Sequence, residues 1–180
     1  RKRAALFVQS GRFEFSPTDL DAIDGMPLLY WWSLEFLKKY VAATKLGNIS
    51  AVRKGLCTCN DVRYIRRPWE VEPYSLLAIK THQQLPPVLD LWKWVPSING
   101  GEGRSWCEPL VDAVQWRNEG IEIKVHQEFE YRSISKHVRS LEYYFSPGIA
   151  FSMMGNIFAA RTHRYRSIFG DMGSSVFPSE

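Results

Sequence analysis

An α+β fold is predicted for this chain, with an N-terminal helical connector leading into a β-rich mixed domain. Three observations predict it. One stretch, Leu28 to Leu46, carries a helical spacing of apolar residues. Beyond Gly47, short β-branched and aromatic segments alternate with Gly, Pro and Asn turns. Aromatic residues reach 14%, which suits a β-rich core or a surface that stacks on something flat.

Residues 1–27 read as a connector. Ser16-Pro17-Thr18-Asp19 has the form of a helix start, with Pro just inside a Ser cap, and Asp24-Gly25-Met26-Pro27 reads as a stop. In the helix expected over residues 28–46, Leu29, Trp32, Phe36, Tyr40 and Ala43 recur at three- and four-residue steps, and Gly47 ends it. Residues 47–180 form the main domain. Its strand candidates are Val62 to Ile65, Ser75 to Ile79, Ala113 to Trp116, Ile121 to Val125, Gly148 to Met153 and Ser174 to Phe177. Asn118-Glu119-Gly120 reads as a hairpin loop between two of them. His126 to Leu141 is expected to be an irregular helix, and Gly100-Gly101-Glu102-Gly103 a mobile loop.

A 45% hydrophobic and 23% charged composition is that of an ordinary globular protein, and no apolar run is long enough for a membrane helix. Arg1 in place of Met, with no signal peptide, reads as an interior segment of a longer protein. Three cysteines without a secretory signal point to the reducing cytoplasm. The net charge of +4 permits nucleic-acid binding without requiring it. Its distribution says more. Basic residues gather at Arg1-Lys2-Arg3, at Arg53, Lys54, Arg63, Arg66 and Arg67, and at Arg161, His163, Arg164 and Arg166.

The richest segment runs from Gly55 to Val71. Thr58, Asn60 and Asp61 offer groups that can bond base edges, and Arg63, Arg66 and Arg67 can neutralise phosphates. A polar turn entering a strand whose arginines face water is the plainer alternative. Trp94 to Trp106, with Gly100, Gly101, Gly103 and Arg104, reads as a surface loop; it has neither the strand-to-helix context of a dinucleotide site nor a P-loop Lys. Arg161-Thr162-His163-Arg164-Tyr165-Arg166 interleaves cations with an aromatic, which suits either a nucleic-acid backbone or a protected strand edge. Cys57 and Cys59, with Cys107 and four scattered histidines, lack the paired spacing of a zinc site and read as incidental. No nucleophile or general-base constellation is legible.

Gly55-Leu56-Cys57-Thr58-Cys59-Asn60-Asp61 through Arg66, Trp69, Glu70 and Val71 resembles a signature of the adenine-specific DNA methyltransferases of the BREX phage-defence (PglX-like) type, Gly-Leu-x-Thr-Gly-x-Asn-x-x-Phe-x-Arg-x-Trp-x-Glu-Val. Other blocks are similar in the same order. They are Ile23 to Pro27 with Tyr30-Trp31; Trp94, Pro96, Gly100, Gly101, Arg104 and Trp106; Trp116 with Gly120 to Lys124; and Tyr144-Phe145 through Pro178. The resemblance implies a target-recognition-like domain that binds double-stranded DNA for an upstream methyltransferase domain. That domain would bind S-adenosylmethionine and methylate adenine N6, with other defence-system proteins as further partners. On this reading Thr58, Asn60 and Asp61 read bases, while Arg63, Arg66, Arg67, Arg104 and Arg161 hold the backbone. The chain has no Asn/Asp-Pro-Pro-Tyr/Phe tetrapeptide and no cofactor loop, so catalysis, the cofactor and any metal are not expected in this segment. Cys59, Asn99 and Cys107 depart from the family pattern, at positions where binding could be altered or lost. A protein-interaction module, marked by an aromatic patch without a positive groove, is the rival reading.

Overall fold

The computed structural model describes residues 16, 18, 21, 23–29, 31–89, 91–99, 106–153 and 158–178. The expected start at Ser16-Pro17-Thr18-Asp19 lies largely outside them, as do the Gly100 to Gly103 loop and Arg104. The architecture is α+β, and no helix among the described residues is long and apolar enough to cross a membrane. The chain divides into two compact units, one ending at Lys45 and the other starting at Leu46.

In the first unit, helix α1 is Leu34–Ala42, shorter than the spacing predicts. The reason is local. Ser33 has extended backbone and its hydroxyl accepts from the Phe36 amide at 3.2 Å, so the helix starts there and not at Leu28. Trp32 packs edge-on against Phe36 (4.7 Å) and Tyr40 (5.3 Å), the stripe that the spacing singles out. Gly47 does not end this helix; it lies within a second, one-turn helix, α2, Leu46–Ile49.

The second unit carries two sheets. Strands β1 (Ser50–Arg53), β4 (Trp106–Cys107), β6 (Ile149–Phe151), β7 (Ala160–Thr162) and β9 (Ser175–Pro178) form one, in the order β1-β9-β6-β7-β4. Strands β2 (Ile65–Arg66), β3 (Trp94–Ile98), β5 (Asp112–Gln115) and β8 (Ile168–Phe169) form the other, in the order β2-β5-β3-β8. All five residues of β3 are buried, although Pro96 lies in an interior strand. That proline is tolerated because β8 pairs only with Ser97 and Ile98 and asks nothing of residue 96. Phe169 of one sheet meets Phe177 of the other at 5.1 Å, and Tyr144 bridges Phe169 and Trp116, so one aromatic core serves both sheets.

Five expectations are corrected here. Val62 to Ile65 is not a strand: Asp61–Tyr64 forms a single helical turn, α3, before β2, because Asn60 caps it. Ser75 to Ile79 holds a 3₁₀ turn, Pro73–Ser75, and one isolated bridge from Leu76 to Trp94. Ile121 to Val125 is helical, inside α4, Arg117–Tyr131. Asn118, Glu119 and Gly120 do turn the chain, with φ of 50°, 56° and 73°, but the turn opens a helix and not a hairpin. A Cβ at Gly120 would stand 2.5 Å from the Trp116 ring, which reserves the position for glycine. The expected helix over 126–141 ends at Tyr131, where Arg132 takes a left-handed cap (φ 52°).

His163, next to β7, is buried between the Ser146 carbonyl (3.2 Å from Nδ1) and the Ser175 hydroxyl (3.0 Å from Nε2). With Nδ1 donating to the carbonyl, Nε2 is left to accept from Ser175. Burial pushes its pKa from 6.5 down to about 4, opposed by the Ser146 bond and aided by the Arg161 charge. The unfolded chain therefore takes up a proton below pH 6.5 that the folded chain refuses until about 4. Stability from this group is complete above pH 6.5 and declines as pH falls through that window, by about 3 kcal/mol in all. Thermal unfolding followed from pH 7 to 4 is expected to show a flatter pH dependence for His163→Gln than for the parent chain.

Candidate functional site

Gly55 and Leu56 lie against β8 and the turn after it. The Leu56 amide donates to the Phe169 carbonyl (2.9 Å) and the Asp171 amide to the Leu56 carbonyl (3.1 Å). The backbones approach so closely that a Cβ on Gly55 would sit 1.8 Å from the Phe169 carbonyl oxygen. The next residues dock on the other side. The Cys57 amide donates to the His137 carbonyl (2.8 Å), and the buried Gln127 amide donates to the Cys57 carbonyl (2.5 Å).

Held at both ends, residues 58–61 fold on themselves. The Thr58 hydroxyl donates to the Asp61 carboxylate, the Asn60 amide donates to Thr58 Oγ1 (3.3 Å), and the Arg63 amide donates to Asn60 Oδ1 (3.1 Å). Asn60 thus caps α3. Cys59 adopts φ +57°, a left-handed conformation that favours glycine and explains why the resembling signature carries Gly at this position.

This turn lines a cleft of about 710 Å³ together with Ser97, Asn99 and the Gly170-Asp171-Met172 turn. A neighbouring recess of about 350 Å³ shares Asp61, Ile65 and Asn99 with the cleft and adds Arg66, Arg67, Glu70 and Asp112. Arg67 Nη1, half-exposed, lies 2.7 Å from Oδ1 of the more buried Asp112. Arg66 Nη1 donates to the Val62 (2.6 Å) and Ile65 (2.7 Å) carbonyls, and its guanidinium lies 5.9 Å from the centre of the Trp94 ring.

Of the residues singled out in the sequence, the fold brings Thr58, Asn60, Asp61, Arg66 and Arg67 to this surface. It does not bring Arg63 or Arg161, and Arg104 lies outside the described residues. Arg63 is exposed on a different groove, beside Ile121, Val125 and Phe129. Arg161 is buried, its Nε paired with Glu108 and its Nη2 donating to the Asn99 carbonyl (2.6 Å). It supports the cleft's wall from behind and presents nothing to a phosphate. A basic cluster read as a surface stripe is here split by strand alternation: Arg161 points in and Thr162 out. Asn99, Asp112 and Asp171 were not singled out as site residues. The turn after Phe169, rich in Gly and Asp, was the available signal for Asp171.

Behind the turn lie Cys57, Cys59 and His137. Burial, then the neighbouring Cys57, pushes the Cys59 thiol up to about 11. Burial, with Lys136 and Arg139, holds the His137 imidazole below its ordinary value, so it is neutral at physiological pH.

No protein-family profile matches the chain. Two curated proteins do. The adenine-specific methyltransferase PglX of Lacticaseibacillus casei (strain Zhang) is 26% identical over 167 residues, which is 91% of this chain and 14% of PglX. The chain is homologous to a segment of this methyltransferase. The adenine-specific methyltransferase BrxX of Escherichia coli O9:H4 (strain HS) is 27% identical over 161 residues, 88% of this chain and 12% of BrxX. Compared with these PglX-type proteins the chain spans about one-seventh to one-eighth of their length. The likeness runs through nearly the whole chain, in keeping with the ordered blocks resembling this type from Ile23 to Pro178.

Proposed function

We propose that this chain is the DNA-binding, target-recognition segment of an S-adenosylmethionine-dependent, N6-adenine-specific DNA methyltransferase of a phage-defence system. The observation that carries the reading is the placement of a polar turn, Thr58 to Asp61, in a cleft whose neighbouring recess holds Arg66 and Arg67, in a chain homologous to PglX and BrxX. Double-stranded DNA lies across that surface. The arginines contact phosphates, and the turn's carboxylate and amide groups face base edges, where an acidic oxygen accepts from a cytosine amino group. Arg67 is half-exposed, so its guanidinium can reach a phosphate while remaining beside Asp112. S-adenosylmethionine binding and methyl transfer belong to a catalytic domain that this segment serves, in the cytoplasm.

Binding to duplex DNA is expected to weaken steeply with salt. Arg66→Ala and Arg67→Ala should each reduce the slope of log K against log salt by about 1. Unchanged slopes in both variants would sink the assignment. An exposed apolar stripe on α4, formed by Ile121, Val125 and Phe129, favours a second reading as a protein-docking module. Absence of DNA binding at low salt would leave that reading, or a cleft that only the methyltransferase partner completes.

A further inference from the structure

The Cys57-x-Cys59 pair lacks a second ligand pair nearby in sequence, but the fold supplies a third ligand from 78 residues away. Cys57 Sγ and Cys59 Sγ lie 3.5 Å apart, and Cys59 Sγ lies 3.2 Å from His137 Nδ1. All three ligand atoms fall within 4.8 Å of one another. A tetrahedral zinc centre, with bonds of about 2.3 Å to sulfur and about 2.0 Å to nitrogen, requires sulfur–sulfur edges of about 3.8 Å and sulfur–nitrogen edges of about 3.6 Å. Two of the three edges already match within about 0.4 Å, and the third is no longer than 4.8 Å. We propose that Cys57, Cys59 and His137 form a binding site for a thiophilic divalent cation, zinc being the best fit.

Two further observations support it. Cys59 holds a left-handed backbone (φ +57°) that a non-glycine residue adopts at a cost of about 1–2 kcal/mol, so the thiol stands there against a local preference. The site is also braced before any ion arrives: the Cys57 amide bonds the His137 carbonyl and Gln127 bonds the Cys57 carbonyl, which fixes the two segments side by side. Cys57, Cys59 and Asp171 all line the cleft, so the fourth coordination position opens to water or to the Asp171 carboxylate. On binding, both thiols release their protons to solvent and become thiolates, leaving the three ligands and a divalent ion neutral overall. The role is therefore to staple the Thr58 to Asp61 turn to the segment after α4, not to add positive charge to the cleft. The site does not depend on the DNA-binding reading.

The test is titration of the 180-residue chain, reduced and freed of metal, with Co(II). One equivalent should give the visible bands of tetrahedral Co(II) and a thiolate charge-transfer band, both bleached by Zn(II). Zn(II) at ~100 times its Kd should raise the Tm by roughly 5–10 °C, and a chelator should reverse the rise. Cys59→Gly relieves the backbone and so folds while losing a ligand. It and His137→Asn should weaken Co(II) binding by at least about 100-fold, whereas Cys107→Ser should leave it unchanged. The proposal is overturned if the parent chain binds no Co(II), if Cys59→Gly binds it as tightly, or if Cys57 and Cys59 are recovered as a disulfide that resists reduction and excludes the ion.

Discussion

Arg161→Ala is expected to destabilise the second unit by about 3–5 kcal/mol, because it strips the partner from a buried carboxylate. Arg161 and Glu108 are 1% and 5% exposed, and the Arg161 guanidinium also holds the Asn99 carbonyl at 2.6 Å. Removing the arginine leaves the Glu108 carboxylate buried without its partner, and frees Asn99 at the wall of the cleft. A double replacement, Arg161→Met with Glu108→Leu, should recover most of the loss, since an apolar pair carries no desolvation penalty. Denaturant midpoints of the two variants measure both effects. Losses below 1 kcal/mol for Arg161→Ala would mean that the pair is solvated, and that Arg161 is available to a phosphate after all.

Gly55→Ala should cost about 3 kcal/mol and should also weaken whatever the cleft binds. Its new methyl group would stand 1.8 Å from the Phe169 carbonyl oxygen, a backbone atom that no rotamer change can move. Relief requires separating residues 55–56 from β8, which breaks the Leu56–Phe169 and Asp171–Leu56 backbone bonds together. Those bonds set the spacing between the Thr58 to Asp61 turn and the Asp171 side of the cleft. Thermal melts and DNA affinity should therefore fall together in Gly55→Ala. A variant with normal stability would show that the close approach is not maintained in solution.

The α+β class was legible because it rests on coarse pattern: one helical stripe around Trp32, Phe36 and Tyr40, then short turn-bounded segments. Boundaries were less so. Periodicity alone extended α1 back to Leu28, whereas one hydroxyl, that of Ser33, decides where it starts. Ile121 to Val125 reads as a strand because Ile and Val favour one. Ile123 is buried in the core while Ile121 and Val125 remain exposed, and a strand would show that alternation too. Period two and helical geometry cannot be told apart over five residues. The turn at residues 58–61 was found by its chemistry, and the structure shows much of that chemistry engaged in folding the turn. His137 was invisible as a partner of Cys59 because their proximity is created by long-range packing, on which sequence spacing carries no information.

The pairing of β1 with β9 has a consequence for how the chain is made. Ser50 pairs with Pro178 and Arg53 with Ser175, so the first strand of the second unit waits for the last. On a ribosome, residues 50–53 emerge early but find their neighbour only when almost the whole unit has cleared the exit tunnel. Closure of such a distant contact bears a large loop entropy and comes late. Until then β6, which borders β9 on its other side, also has an open edge. Synthesis of this unit thus ends with a zippering step that completes three strands at once, and a nascent chain stalled before residue 175 would expose two unpaired edges to its neighbours.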